Sequence, residues 1–302
     1  MAQRSSISFS TLASRLQYLL LMGLFRVAVT RGLYGAFARG LGRLFNARNA
    51  VYLSREGEPP FKIYLNDGYW TRFALYHRDY EPEVARVLKA AAGHTEVFCD
   101  LGANKGFWSV RAAPKFSQVI AVEASAQTSE ALLENTKDLP NVTRHRRAIH
   151  AESGLKLQFL NVPLSHASAR IADAAEGADE SVETIAIDDL LADDTAALIK
   201  LDVEGAEIAA FEGGKRALSD GSVMVYEDHG NDPECLPSEY LLRDPDISIY
   251  ATFGEPKKLR TVAEIRALKT DPFKGYNFMA ARDDSPLLRD ILEGFATSGA
   301  SN

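Results

Sequence analysis

The sequence predicts a doubly wound, Rossmann-like α/β fold with a seven-stranded sheet, preceded by an N-terminal helical extension. Three segments support this prediction, because each is an apolar strand with an acidic residue at or near its carboxyl end. The first runs from Glu96 through Asp100 into a loop with Gly102 and Gly106, and an amphipathic helix begins near Phe107. A strand, a glycine loop and a helix in this order form the first βα turn of folds that bind small ligands at the carboxyl end of the sheet.

The spacing in this loop favours S-adenosylmethionine over a dinucleotide as the cofactor. A dinucleotide fingerprint has three glycines, because the pyrophosphate lies against the backbone at the helix N-terminus. Here the loop reads Gly102-Ala103-Asn104-Lys105-Gly106, so the middle glycine is missing. The carboxylate of Asp100 would repel a pyrophosphate, whereas it suits the ammonium group of an amino-acid tail. A purely conformational need for glycine in a tight turn is the alternative explanation.

The second and third strands extend the predicted cofactor site. Ser117–Ala124 contains a buried apolar run, and Glu123 stands 17 residues after the glycine loop. Ribose hydroxyls are held by an acidic residue at this place in such folds. A solvated carboxylate at the end of a strand is the other explanation. The third strand, Val142–Ile149, is expected to place Ala148 on the adenine side of the pocket.

The segment Leu198–Glu207 supplies the next strand and its carboxylates. Asp202 and Glu204 follow the apolar run, Gly205 makes a turn, and a helix opens at Glu207, where the helix dipole stabilises an acid. A carboxylate such as Asp202 is costly to desolvate without a cationic partner, and a sulfonium or an amine would be one.

These segments resemble the FkbM-type S-adenosylmethionine-dependent methyltransferases. Order and spacing agree from about Glu96 to Gly230, and the most specific string is Ile199–Glu207. The resemblance implies the class I methyltransferase sheet and methyl transfer to an oxygen, commonly a sugar or natural-product hydroxyl. The chain also resembles family members of bacterial polysaccharide pathways in two upstream segments, Tyr69-Trp70 and Tyr80-Glu81-Pro82. The predicted cofactor-binding residues are Asp100, Gly102, Ala103, Asn104, Gly106, Glu123, Ala148 and Asp202.

Methylation of a hydroxyl needs a base within hydrogen-bond reach of the acceptor. His229 is the best-placed histidine, because it follows a core strand at the cleft edge and is flanked by Glu227 and Asp228. A histidine that only bonds a loop is the alternative. The other candidates for the base are His166, Asp202 and Glu204.

The same carboxylates raise the question of a metal. Asp202, Glu204, Glu227 and Asp228 could supply the oxygen ligands that Mg²⁺ prefers. Their spacing fixes no ligand set, and a pocket for a sulfonium has its own use for carboxylates. Mg²⁺ therefore stays an open option, and no metal site is predicted.

Composition indicates one catalytic domain with additions. The chain has 302 residues, of which 46% are hydrophobic and 25% charged, as in globular proteins with a full core. Two cysteines, Cys99 and Cys235, are too few for a disulfide framework, and Cys99 is expected in the core. The predicted domains are an extension over 1–55, a lead-in over 56–95 and the catalytic domain over 96–302.

The first 55 residues are strongly basic, with eight arginines and no acid, although the chain as a whole carries a net charge of −7. Arg15 and Arg26 bracket only ten residues, too few for a transmembrane helix. A targeting peptide fits residues 1–15, but the basic character continues beyond them. Two explanations remain equally weighted. In one, a pair of amphipathic helices, broken near Gly32, lies on an anionic membrane or an acidic partner; in the other, it covers the catalytic domain or a dimer interface.

The remaining elements follow from periodicity and turn residues. Strands are predicted at Phe61–Leu65, Leu155–Leu160, Val182–Ile187, Ser222–Glu227, Ile247–Thr252 and Tyr276–Ala281, the last one antiparallel. Helices are predicted at Glu81–Ala92, Ala126–Lys137 and Val262–Leu268. An acidic loop, Asp173–Glu180, lies within the insertion between the third and fourth core strands.

Two other functions compete with methyl transfer. A nucleotide-sugar oxidoreductase is disfavoured by the missing middle glycine and by the lack of a Tyr-x-x-x-Lys pair near the cleft. A membrane-docked scaffold without catalysis is disfavoured by the intact loop, Glu123 and Asp202. The expected partners are a glycan or small-molecule acceptor and no nucleic acid, with a homo-oligomer left open. The expected location is cytoplasmic, with peripheral contact at the inner face of the cell membrane left open.

Overall fold

The computed structural model describes residues 5–28, 40, 44–46, 48–76, 79–160, 170–171, 180–203 and 205–299. These residues form two compact units, the first ending at Tyr80 and the second beginning at Glu81. The predicted divisions after residues 55 and 95 fall inside these units.

The first unit is a three-stranded antiparallel sheet with helices. Its elements are β1 (Ser5–Phe9), α1 (Leu12–Ala28), β2 (Ala50–Arg55), β3 (Phe61–Tyr64) and α2 (Thr71–Tyr76). The three strands pair in chain order, with Ser5 opposite Arg55 and Ala50 opposite Tyr64.

Helix α1 confirms one of the two helices predicted in the N-terminal extension, and the second would lie mostly outside the described residues. The sequence analysis missed β1 and β2, which flank the helix. In β1 the exposed and half-buried positions alternate without a buried one, so the segment lacks the apolar period that identifies a strand. Across the part of the chain that the structure describes, no helix has the length and apolar character needed to cross a membrane.

The second unit contains the remaining elements. Its helices are α3 (Pro82–Ala91), α4 (Phe107–Ala112), α5 (Ala126–Thr136), α6 (Glu207–Glu212), α7 (Lys215–Ser219), α8 (Leu236–Leu242), α9 (Val262–Leu268) and α10 (Pro286–Gly299). Its strands are β4 (Val97–Leu101), β5 (Gln118–Val122), β6 (Val142–His145), β7 (Ala148–Ile149), β8 (Lys156–Leu160), β9 (Arg170–Ile171), β10 (Glu180–Ile185), β11 (Ala197–Leu201), β12 (Val223–His229), β13 (Ile247–Ala251), β14 (Lys257–Leu259) and β15 (Gly275–Arg282).

The main sheet has the strand order β14-β13-β15-β12-β11-β4-β5-β6. The five strands from β6 to β12 are parallel, and β15 runs antiparallel to both of its neighbours. The chain moves outward from β4 to one side and then crosses to β11 on the other, so the order reverses at β4. Ligands bind at the carboxyl ends of the strands beside such a reversal. The doubly wound, Rossmann-like fold is therefore confirmed.

The sheet differs from the prediction at both ends. An eighth strand, β14, extends the edge beyond the seven predicted strands through a hairpin with β13. At the other edge, the predicted third strand divides into two. Strand β6 pairs with β5 in the main sheet, whereas β7 pairs with β10 in a separate sheet of order β7-β10-β8-β9. Arg146 and Arg147 lie between the two strands.

Alternation of side chains divides the main sheet into two faces. Cys99, Ile199 and Tyr226 lie on one face, inside a large apolar core. Cys99 is fully buried and free, as predicted. Asp100 and Lys200 lie opposite each other on the other face, at the carboxyl edge of the sheet.

Candidate active site

The glycine loop after β4 touches the end of β11. Gly102 has a φ of +77°, and a Cβ there would lie 1.7 Å from the carbonyl oxygen of Asp202. The amide of Asp202 donates to the carbonyl of Leu101 at 2.9 Å, which holds the two strand ends together. Glycine is thus required at position 102 by conformation and by packing.

Glu123 fixes the outer part of the same loop. Its carboxylate accepts hydrogen bonds from the amide of Asn104 at 2.7 Å, the amide of Ser125 at 2.9 Å and the hydroxyl of Thr128 at 3.2 Å. Burial raises the pKa of Glu123 to about 7, and these hydrogen bonds oppose the rise. Glu123 thus links the glycine loop to the start of α5. A contact between Glu123 and the ribose of the cofactor remains a prediction.

Asp100 is 1% exposed, and only one of its two carboxylate oxygens is hydrogen-bonded within the described structure. The hydroxyl of Ser109 donates to its Oδ2 at 2.6 Å, whereas its Oδ1 has no hydrogen-bond partner among the residues that the structure describes. Burial raises the pKa of Asp100, and Lys200 opposes this rise. A buried carboxylate oxygen without a partner is costly to the fold, so it indicates a place for a ligand donor.

Lys200 is a site residue that the sequence analysis did not single out. It is 3% exposed, and its ammonium bonds Asp202 at 3.0 Å. Burial lowers the pKa of Lys200, but Asp202, Glu81 and Asp100 raise it more, so it lies above its ordinary value. A lysine inside the apolar strand Leu198–Leu201 is the signal that could have identified it.

Glu81 is the second site residue that the sequence analysis did not single out. Its carboxylate accepts from the indole N–H of Trp108 at 2.7 Å and from the side-chain amide of Asn277 at 3.3 Å. Asn277 also donates to Glu83 at 3.1 Å. These residues are far apart in sequence, and only β15 and the start of α3 bring them to the edge where Lys200 lies.

His229 is the last residue of β12, whereas the sequence predicts that this strand ends at Glu227. Its Nδ1 lies 2.7 Å from the side-chain oxygen of Asn231. Asp228 points to the opposite face of the sheet, where it is fully buried and paired with Lys269 and Ser238. Asp228 therefore does not orient His229, because successive side chains of a strand alternate between faces.

Ala148 is the predicted cofactor-binding residue that the structure places apart from the contacts above. Ala148 is buried in β7, packed with Val182 outside the main sheet. Glu204 and His166 lie outside the described residues. Within the residues that the structure describes, no group of three or more acidic, histidine or cysteine side chains could hold a metal ion.

Comparison with known proteins identifies the domain. Residues 100–247 match the model of the methyltransferase FkbM domain. No curated protein matches the chain. A crystal structure of methyltransferase FkbM from Methylobacillus flagellatus KT is similar, at 20% identity and a TM-score of 0.40, over 72% of this chain and 54% of that one. This chain thus spans about half the length of that relative.

Two further crystal structures are similar. A putative methyltransferase from Streptococcus mutans, SMU.1697c in complex with SAH, has 10% identity and a TM-score of 0.40 over 68% of this chain and 99% of that one. The O-methyltransferase from Bacillus cereus in complex with SAH has 15% identity and a TM-score of 0.38, over 68% and 83%.

The match to the domain model covers the glycine loop, Glu123, the end of β11 and His229. The chain therefore contains a methyltransferase FkbM domain at residues 100–247.

Proposed function

We propose that this protein transfers a methyl group from S-adenosylmethionine to a hydroxyl group of a sugar or natural product. The observation that carries the proposal is the buried Asp100, whose Oδ1 has no hydrogen-bond partner within the described part of the chain. It lies in β4, just before the glycine loop of a methyltransferase domain. The cofactor, when bound, supplies a methyl group on a positively charged sulfur.

The residues present fit this cofactor. An ammonium group would satisfy Asp100 Oδ1 and offset the negative charge that burial disfavours. Gly102 and Asn104 hold the loop in left-handed conformations, and Glu123 fixes it from the outer side. A carboxylate has about four acceptor sites, so Glu123 keeps capacity for one ribose hydroxyl beyond its three protein donors.

His229 is our candidate for the base that takes the acceptor proton. Both contacts of the ring are at Nδ1, which lies 2.7 Å from the side-chain oxygen of Asn231 and 3.3 Å from its backbone amide. In the tautomer whose Nδ1–H donates to that oxygen, Nε2 has a free lone pair, as a general base requires. Asp202 is a weaker candidate, since Lys200 already holds its carboxylate. Glu204 and His166 stay as candidates.

Helix α1 favours an acceptor that is met at a membrane surface. One side of the helix is buried, with Tyr18, Leu21 and Phe25 among the core residues. The opposite side carries an apolar row that stays exposed by 85%, 55%, 51% and 43%. The row consists of Leu12, Leu16, Leu19 and Leu20.

This leucine row lies within a segment of eight arginines and no acid. Each basic residue near an anionic bilayer contributes about 1 kcal/mol, whereas two copies of the segment would repel each other. We therefore assign the row to an anionic membrane, such as one that carries lipid-linked glycans, rather than to a dimer.

A methylation assay tests the function. The protein is incubated with S-adenosylmethionine and a panel of sugar nucleotides, lipid-linked glycans and hydroxylated natural products. We expect release of S-adenosylhomocysteine together with a product heavier by one methyl group. Thermal stabilisation by NAD(P), with none by S-adenosylhomocysteine, would favour an oxidoreductase and refute the proposal. Cofactor binding without transfer to any acceptor would favour a non-catalytic scaffold.

A further inference from the structure

The backbone and side chain of Glu81 are held in an unusual way. Glu81 precedes α3 in the N-cap position, but its side chain makes no capping hydrogen bond. Its φ is 43°, a left-handed value that residues other than glycine rarely adopt. A conformation that is both costly and without a capping role indicates another use for the carboxylate.

The contacts of Glu81 place it over the carboxyl edge of the main sheet. Trp108, on the first helix after the glycine loop, donates to one carboxylate oxygen at 2.7 Å, and Asn277 on β15 donates to the other at 3.3 Å. Asn277 lies opposite Glu227, two residues before His229. Glu81 is therefore held between α4 and the part of the edge formed by β12 and β15.

Negative charge exceeds positive charge around Lys200. Three carboxylates, Asp100, Asp202 and Glu81, act on this one ammonium. Burial raises the pKa of Glu81, Lys200 lowers it, and Asp202 raises it further. A second cation would relieve this excess, and the unpartnered Oδ1 of Asp100 independently indicates that a ligand binds here.

We infer that Glu81 is a further cofactor-contacting residue, whose carboxylate, held by Trp108 and Asn277, lies beside the positively charged sulfur of the methyl donor. The inference rests on the proposed cofactor. Asp100 lies at the glycine loop, where the amino-acid part of the cofactor is expected, and Asp202 is bonded to Lys200, so Glu81 is left for the sulfonium. Glu81 and Asn277 both lie outside the matched residues 100–247.

Calorimetry with three probes tests the inference. S-adenosylmethionine has a positive sulfur, sinefungin has an amine in the corresponding place, and S-adenosylhomocysteine is neutral there. In Glu81→Gln we expect the affinity for the first two to fall about tenfold relative to S-adenosylhomocysteine, as expected for a lost contact of ~1.4 kcal/mol. Glu83→Gln is the matched control, because Glu83 accepts from the same Asn277 amide, and it should leave the ratio unchanged.

A second variant covers the case in which Glu81→Gln does not fold. Trp108→Phe removes the N–H that donates to Glu81 and keeps the charge, so the preference for the cationic probes should fall by a few-fold. Equal weakening of all three probes, or an unchanged ratio in both variants, would overturn the inference. Failure of the unaltered protein to bind any probe would instead refute the proposed cofactor.

Discussion

The substitution Glu123→Gln tests whether the buried carboxylate beside the glycine loop makes stability depend on pH. Burial raises the pKa of Glu123 from 4.5 to about 7 in the folded protein. Between these two values the folded protein keeps a proton that the unfolded chain loses. Glu123 therefore contributes stability that is complete below pH 4.5 and is lost as the pH rises through about 7.

The size of this contribution follows from the two pKa values. Each pH unit between them corresponds to about 1.4 kcal/mol of free energy. The interval from 4.5 to about 7 therefore corresponds to ~3 kcal/mol in the free energy of unfolding. Glu123 is only 8% exposed, so solvent screening reduces this value little.

Urea unfolding between pH 4 and pH 8 measures the effect as a difference between two proteins. The free energy of unfolding of the unaltered protein, minus that of Glu123→Gln, should fall by ~3 kcal/mol across this range. Other buried carboxylates cancel in the difference. Glu130→Gln, at an exposed position in α5, is the control and should leave the profile unchanged. A difference that stays constant with pH, or that rises, would refute the pKa and its cause.

Three further predictions concern the loop, the base and helix α1. Gly102→Ala should destabilise the fold by more than the ~1–2 kcal/mol of a left-handed alanine, because its Cβ would also meet the Asp202 carbonyl; a melting temperature near that of the unaltered protein would contradict this. His229→Ala should lower the turnover rate by roughly 10²–10⁴ while S-adenosylhomocysteine affinity is kept, and a rate within a few-fold would exclude His229 as the base. The double variant Leu16→Asn, Leu20→Asn should lose sedimentation with anionic vesicles and keep its melting temperature, whereas unchanged sedimentation would remove the leucine row from the membrane surface.

The sequence by itself determined the main sheet and the loop that identifies its ligand class. Strands β4, β5 and β11 are predominantly apolar because they are buried on both faces, and such runs are visible without a structure. The glycines of the loop are likewise local signals, since the turn itself requires positive φ at Gly102 and Gly106. The family could therefore be inferred from short strings of residues.

Tertiary structure decided which charged groups meet at the carboxyl edge. Glu81, Lys200 and Asn277 come together through strand register and through the loop before α3, and no local pattern encodes that meeting. The same reason separates His229 from Asp228, which are adjacent in sequence but lie on opposite faces of β12. A sequence shows which side chains are available, whereas pairing between distant strands determines which of them share a site.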